Sequence, residues 1–144
     1  MNKVLKIKNS LIIFLTVLVL FSCKKKSTDY VPTVTVNTYL SASDPAFAPL
    51  NAINGSTYLS NCGVAGILVF RKSQTEFMAY DRCCTYKVSE GNVIAVDASG
   101  LISKDAVCGS QFILTDGSVN NGPASNPLKR YQTTFDGTVL HIFN

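Results

Sequence analysis

From residue 33 to residue 144 the chain alternates short apolar or β-branched runs with residues that favour turns. Runs of this length, bounded by Gly, Asn, Asp or Pro, are typical of β-strands. They predict strands at Val34–Leu40, Ile67–Arg71, Phe77–Tyr80, Asn92–Val96, Phe112–Thr115, Leu128–Phe135 and Val139–Phe143. No helical periodicity of useful length accompanies them. The pattern predicts an all-β fold, with antiparallel strands forming a sandwich or a small barrel.

Turn-forming pairs separate the predicted strands. Asp136-Gly137 gives the clearest hairpin, because a β-type run flanks it on each side. The stretch Ser41–Gly55 contains two prolines and two asparagines and is predicted to be a connection. The length of the chain after its N-terminal segment suits one domain with one hydrophobic core.

The first 22 residues have the zones of a secretory signal peptide. Lys3, Lys6 and Lys8 form a basic start, and an apolar run from Leu11 to Phe21 follows. That run is shorter than the roughly 20 residues that a helix needs to cross the hydrocarbon layer, so a permanent transmembrane anchor is not expected. The segment predicts export of the rest of the chain.

Ser22-Cys23, with Leu20 shortly upstream, resembles the lipobox of bacterial lipoproteins. The resemblance implies that Cys23 is acylated and becomes the new N-terminus, held by lipid at the outer membrane or at a periplasmic membrane surface. Residues 23–32 would then form a flexible tether, and residues 33–144 the folded domain. The expected partner of Cys23 is the lipid bilayer.

Charge gives no reason to expect nucleic acid as a partner. The chain has 13 basic and 9 acidic residues, but three of the basic residues lie in the signal peptide, which leaves 10 against 9. Lys24, Lys25 and Lys26 come directly after the anchor, where they either contact anionic head groups or form part of a solvated tether.

Cys62, Cys83, Cys84 and Cys108 remain after lipidation of Cys23. In an exported chain the surroundings are oxidising, so disulfides are the default expectation. The sequence leaves all three connectivities open.

Two cysteine-bearing segments, together with the C-terminal part of the chain, resemble the Rieske fold. The first is Asp81-Arg82-Cys83-Cys84-Thr85-Tyr86 and the second is Asp105-Ala106-Val107-Cys108-Gly109-Ser110. Gly122-Pro123-Ala124, then Leu128 and Tyr131, then the closing hairpin come after them in the family's order. The resemblance covers about 80 residues and implies an antiparallel β domain with both cysteine loops at one tip.

In the Rieske family two cysteines and two histidines hold a [2Fe–2S] cluster. The resemblance places Cys84, Tyr86, Asp105 and Cys108 at these ligand positions, so only Cys84 keeps the family's residue type. A phenol and a carboxylate are poor replacements for imidazole and thiolate. His141 is the only histidine in the chain, and it is predicted to be an ordinary side chain on the final strand. We therefore expect no cluster and no other metal.

The resemblance also brings Cys84 and Cys108 together, and in an oxidising compartment it implies a disulfide between the two loops. Cys62 and Cys83 would form a second pair, with a free Cys83 as the competing interpretation. Zinc held by Cys83, Cys84, Cys108 and Asp105, an iron–sulfur cluster with altered ligands, and a redox-active dithiol are the alternatives.

No candidate nucleophile has a base beside it in the sequence, so the expected function is non-enzymatic: a membrane-anchored structural or binding module. Tyr86, at the tip, is a candidate contact for a protein partner. The alternative is a metal-binding electron-transfer protein.

Overall fold

The computed structural model describes residues 30–144, so the predicted signal peptide, Cys23 and most of the predicted tether lie outside the described residues. The described part is almost entirely β structure. Its strands are β1 (Asn37–Ser41), β2 (Ser56–Leu59), β3 (Ile67–Arg71), β4 (Phe77–Asp81), β5 (Ile94–Val96), β6 (Ile102–Asp105), β7 (Gln111–Ile113), β8 (Val119–Asn121), β9 (Arg130–Phe135) and β10 (Val139–Phe143). Short 3-10 helices occupy Pro45–Asn51 and Val88–Glu90. No helix in residues 30–144 is both long and apolar enough to cross a bilayer.

The strands form two antiparallel sheets. Six strands lie in the order β1-β10-β9-β4-β3-β2, and four in the order β5-β6-β7-β8. The β9–β10 hairpin turns at Asp136-Gly137, whose aspartate accepts hydrogen bonds from the Thr138 and Val139 backbone N–H groups. The predicted all-β, antiparallel fold is confirmed.

The central strands β3 and β4 are buried on both faces, which explains their continuous apolar sequence. Alternate residues point to opposite faces: Val69 and Ala79 pack into one core, whereas Leu68 and Tyr80 pack into another. The first core lies beside β1, β10 and the helix Pro45–Asn51. The second lies between the two sheets and reaches Cys84.

Several element bounds differ from the sequence-based expectation. The structure adds β2, β6 and β8, which are short and carry few fully buried side chains, so they show no apolar run. Strand β1 begins at Asn37 rather than Val34. The predicted connection Ser41–Gly55 contains the helix Pro45–Asn51, where the Asp44 carboxylate caps the first turn by accepting a hydrogen bond from the Ala46 N–H.

Candidate functional site

The first cysteine loop begins where β4 ends. Asp81 is buried, and its carboxylate accepts hydrogen bonds from the backbone N–H groups of Val64 (2.6 Å), Ala65 (3.2 Å) and Cys83 (2.9 Å). The Tyr131 hydroxyl donates a further hydrogen bond to Asp81 Oδ2 at 2.7 Å. This carboxylate therefore fixes the exit of β4 and the position of the cysteine loop.

The second cysteine loop comes after β6. Asp105 ends that strand, and its Oδ1 accepts hydrogen bonds from the N–H groups of Val107 (2.7 Å) and Cys108 (3.3 Å). Its Oδ2 lies 3.0 Å from Cys108 Sγ. The Asp105 carboxylate therefore caps the turn and stabilises the shape of this loop.

The two loops meet at sulfur. Cys84 Sγ and Cys108 Sγ are 3.8 Å apart and unbonded. Among the described residues, the donor atoms of Cys84, Asp105 and Cys108 all lie within 4.8 Å of one another. Cys84 and Asp105 are fully buried, whereas Cys108 is half-buried. We call these three residues the tip cluster.

Electrostatics keep the proton on Cys84 and off Asp105. Burial raises the pKa of the Cys84 thiol, and hydrogen bonding to the Asp105 carboxylate raises it further. Burial alone would raise the pKa of Asp105, but hydrogen bonds from both thiols and from the turn N–H groups outweigh it, so that pKa is lowered. The tip cluster therefore pairs a neutral, poorly nucleophilic Cys84 with a charged carboxylate.

A third segment covers the tip cluster. The Ser110 hydroxyl oxygen lies 3.0 Å from Cys108 Sγ and accepts a hydrogen bond from the Ala124 N–H at 3.0 Å. The Thr85 hydroxyl donates a 2.7 Å hydrogen bond to the Asn126 carbonyl. The loop after β8 is thus tied to both cysteine loops.

Tyr86 is half-buried and packs against the second core. The Lys87 ammonium lies 5.6 Å from the centre of its ring. Only part of this aromatic ring is open to a partner.

The remaining cysteines lie around Asp81 rather than in the tip cluster. Cys62 Sγ is 3.6 Å from the Leu59 carbonyl oxygen, and Cys83 Sγ is 3.7 Å from the Cys84 carbonyl oxygen. Both are unbonded. Burial and the nearby Asp81 charge raise the pKa of both thiols.

His141 lies on β10 in the six-stranded sheet, not at the tip cluster. Its ring stacks on Tyr39 at 4.2 Å and on Phe143 at 4.6 Å, and its Nε2 is 2.7 Å from Asn37 Oδ1. It is an ordinary strand side chain with local partners, as the sequence predicted.

Sequence reasoning missed the hydrogen-bond network of Asp81 and Tyr131. The one signal for it was a carboxylate directly after the apolar run Phe77–Tyr80, where a buried strand ends. A charged residue in such a place is rarely buried without partners.

Comparisons with known proteins bear on the fold. No protein-family model matches the chain, and no curated protein matches it either. Among solved structures, the cyanobacterial plasma membrane Rieske protein PetC3 from Synechocystis PCC 6803 matches with a TM-score of 0.55 and 23% identity, covering 76% of this chain and 98% of that one.

Two further structures match with lower scores. One comes from a complex of reduced oxygenase and oxidised ferredoxin in carbazole 1,9a-dioxygenase, with a TM-score of 0.49, 19% identity and coverage of 72% of this chain and 92% of that chain. The other is described as an NADH-dependent nitrite reductase small subunit from Mycobacterium tuberculosis, with a TM-score of 0.45, 17% identity and coverage of 78% and 97%.

Proposed function

From the Rieske-like fold that this chain adopts, we propose that it is a membrane-anchored structural or binding module that holds no Rieske cluster. A disulfide between Cys84 and Cys108 fastens its two tip loops in place of iron. The observation that carries the proposal is the donor set at the tip: two thiols 3.8 Å apart, a carboxylate and no imidazole.

A Rieske cluster does not fit these residues. Its second iron needs two imidazoles, and the chain's one histidine, His141, lies on β10, where it contacts Tyr39, Phe143 and Asn37 rather than the tip cluster. Tyr86, at a family histidine position, offers a phenol packed against the core. Asp105, at a family cysteine position, already uses both carboxylate oxygens within its own loop. In this chain, hydrogen bonds of Asp105 stabilise the second cysteine loop, whereas in the Rieske family a cysteine at this position binds iron.

The short distance between the tip thiols supports a disulfide. A bonded pair requires an S–S distance of about 2.05 Å, so the two sulfurs, now 3.8 Å apart, must approach by less than 2 Å. Export into an oxidising compartment, which the signal-like N-terminus predicts, provides the redox conditions. Burial of Cys84 and its raised pKa favour a stable structural bond over a catalytic dithiol.

Peptide mapping without reduction tests this pairing. Protein exported in its own host is alkylated, digested and analysed by mass spectrometry, and a peptide linking 84 to 108 is expected. Cys62→Ser serves as the control, because it leaves the tip cluster intact and the link should persist. Free thiols at both 84 and 108 in the exported protein would refute the disulfide. The same maps decide whether Cys62 and Cys83 form a second bond.

A second candidate function is metal binding by the reduced tip cluster. Two thiolates on a tetrahedral zinc ion, with bonds of about 2.3 Å, lie about 3.8 Å apart, which equals the separation of Cys84 Sγ and Cys108 Sγ. Metal binding would deprotonate the Cys108 thiol that now donates to Asp105 Oδ2, and this freed oxygen would supply a third ligand. Anaerobic equilibrium dialysis of reduced protein against zinc tests this candidate: one bound equivalent, lost in Cys108→Ser, supports the metal site, and no binding rejects it.

A further inference from the structure

We propose that the tip of the domain, formed by the loops around the tip cluster, faces and contacts the phospholipid bilayer to which the chain is anchored. This inference rests on the acylation of Cys23 within the proposed function. It adds an orientation and a contact surface, which the anchor alone does not specify.

The described chain starts at the tip end of the six-stranded sheet. Pro32 accepts a hydrogen bond from the Lys129 ammonium, and the Lys129 carbonyl accepts one from the Asp81 N–H at 2.9 Å. Asp81 ends β4, two residues before Cys83. Three residues before Lys129, the carbonyl of Asn126 binds Thr85 of the first cysteine loop. The tether therefore enters the domain near this loop.

The tether is too short to let the end of the domain opposite the tip reach the bilayer. Residues 23 to 30 can span at most about 25 Å when fully extended. A domain of this length has a radius of gyration of about 13 Å, which corresponds to a diameter of roughly 35 Å. A chain that enters the domain at Lys129 would have to run around the domain to bring the far end to the bilayer. With Cys23 in the membrane, the tip is the end within reach.

Exposed apolar side chains surround the tip. Val107, 75% exposed, stands on the turn between Asp105 and Cys108. Val93 is exposed and its backbone pairs with Cys83, and Val64 is exposed on the loop bound to Asp81. Tyr30, at the root of the tether, is 71% exposed. Valine and tyrosine side chains at a membrane interface bury apolar surface and leave the backbone hydrated.

The charges near the tip are compatible with this orientation. Among the carboxylates near the loops, Asp81 and Asp105 are buried and hydrogen-bonded, and the exposed Glu90 is paired with the Lys87 ammonium at 3.0 Å. The sequence places Lys24, Lys25 and Lys26 directly after the anchor, where they favour an anionic bilayer. A protein partner at Tyr86 would occupy the same end of the domain, but only part of that ring is exposed.

Tryptophan fluorescence tests the orientation without background, because the chain has no tryptophan. Val107→Trp places the probe at the tip. Leu101→Trp is the matched control: Leu101 is 41% exposed and directly precedes β6, at the opposite end of that strand from Asp105. The turn at Gly100 lies close to the Asn54 carbonyl oxygen. Asn54 hydrogen-bonds to Arg71, at the end of β3 away from the tip, so Leu101 lies far from the tip loops. Circular dichroism checks that both variants fold.

The lipidated full-length variants are reconstituted into phosphatidylcholine and phosphatidylglycerol vesicles with and without brominated acyl chains. At position 107, bromination is expected to reduce tryptophan emission by about half or more, whereas at position 101 it should change emission by about one tenth or less. Equal quenching at both positions, or none at 107 in sedimenting protein, overturns the orientation and leaves the anchor standing. A protein partner bound at the tip would also prevent quenching at position 107. Failure of the protein to sediment with vesicles removes the anchor, and the orientation with it.

Discussion

Reduction of a Cys84–Cys108 bond is expected to lower the free energy of unfolding by about 2 to 3 kcal/mol. The bond closes a loop of 25 residues, which by the chain-entropy model contributes about 3 kcal/mol. Forming the bond removes the thiol hydrogens, so Cys108 Sγ, 3.0 Å from both Asp105 Oδ2 and Ser110 Oγ, no longer donates a hydrogen bond to either. That loss offsets about 1 kcal/mol. The net change corresponds to a decrease in Tm of about 10 °C for a domain of this size.

The assay is a urea titration monitored by circular dichroism, run on exported protein with and without a phosphine reductant. Cys108→Ser should unfold at the lower midpoint in both conditions and lose its response to reductant. Cys62→Ser should retain the tip response, because this residue lies outside the tip cluster. An identical midpoint for oxidised and reduced wild-type protein would refute the reasoning, since no bond between the loops would then be contributing.

Three further predictions concern single residues. Tyr131→Phe removes the hydroxyl that donates to the buried Asp81 carboxylate at 2.7 Å and should destabilise the domain by about 1 to 3 kcal/mol in urea titrations, whereas an unchanged midpoint would show that the bond contributes nothing. In reduced protein, Asp105→Asn should destabilise the domain by a similar amount at pH 7. Folding lowers the pKa of Asp105 below its ordinary value of 3.8, so the extra free energy of unfolding that wild type has over the variant is fully present above pH 3.8. It is lost as the pH falls through the folded-state pKa. A difference in the free energy of unfolding that does not change with pH would contradict this assignment. Cys23→Ser should move the protein from the membrane fraction to the soluble fraction, as judged by immunoblotting, and retention in the membrane fraction would exclude acylation as its anchor.

The sequence was most informative where strands are buried on both faces. The bounds of β3 were predicted correctly because its apolar run is continuous, and those of β10 because it follows the hairpin turn at Asp136-Gly137. Strand β2, Ser56–Leu59, escaped prediction because it is a polar edge strand with no fully buried residue. Such strands are specified by pairing with a neighbour, which a pattern along one segment does not reveal.

The candidate site shows a similar division. The order of the cysteine segments correctly predicted a Rieske-like fold, and the structure brings Cys84, Asp105 and Cys108 together. The burial of Asp105 and its use of both carboxylate oxygens in its own loop depend on three-dimensional contacts, so residue type alone did not reveal them. The same holds for Asp81, whose partners Val64 and Tyr131 are distant from it in the sequence.

Absence of a cluster from the tip loops is the claim on which the account depends. The most direct measurement is the visible absorption spectrum of protein purified without oxygen from its native host, together with its iron and acid-labile sulfide content. We predict a colourless protein with neither iron nor sulfide at stoichiometric levels. A brown protein that contains two irons and two sulfides per chain, and loses them in Cys84→Ser, would contradict the account.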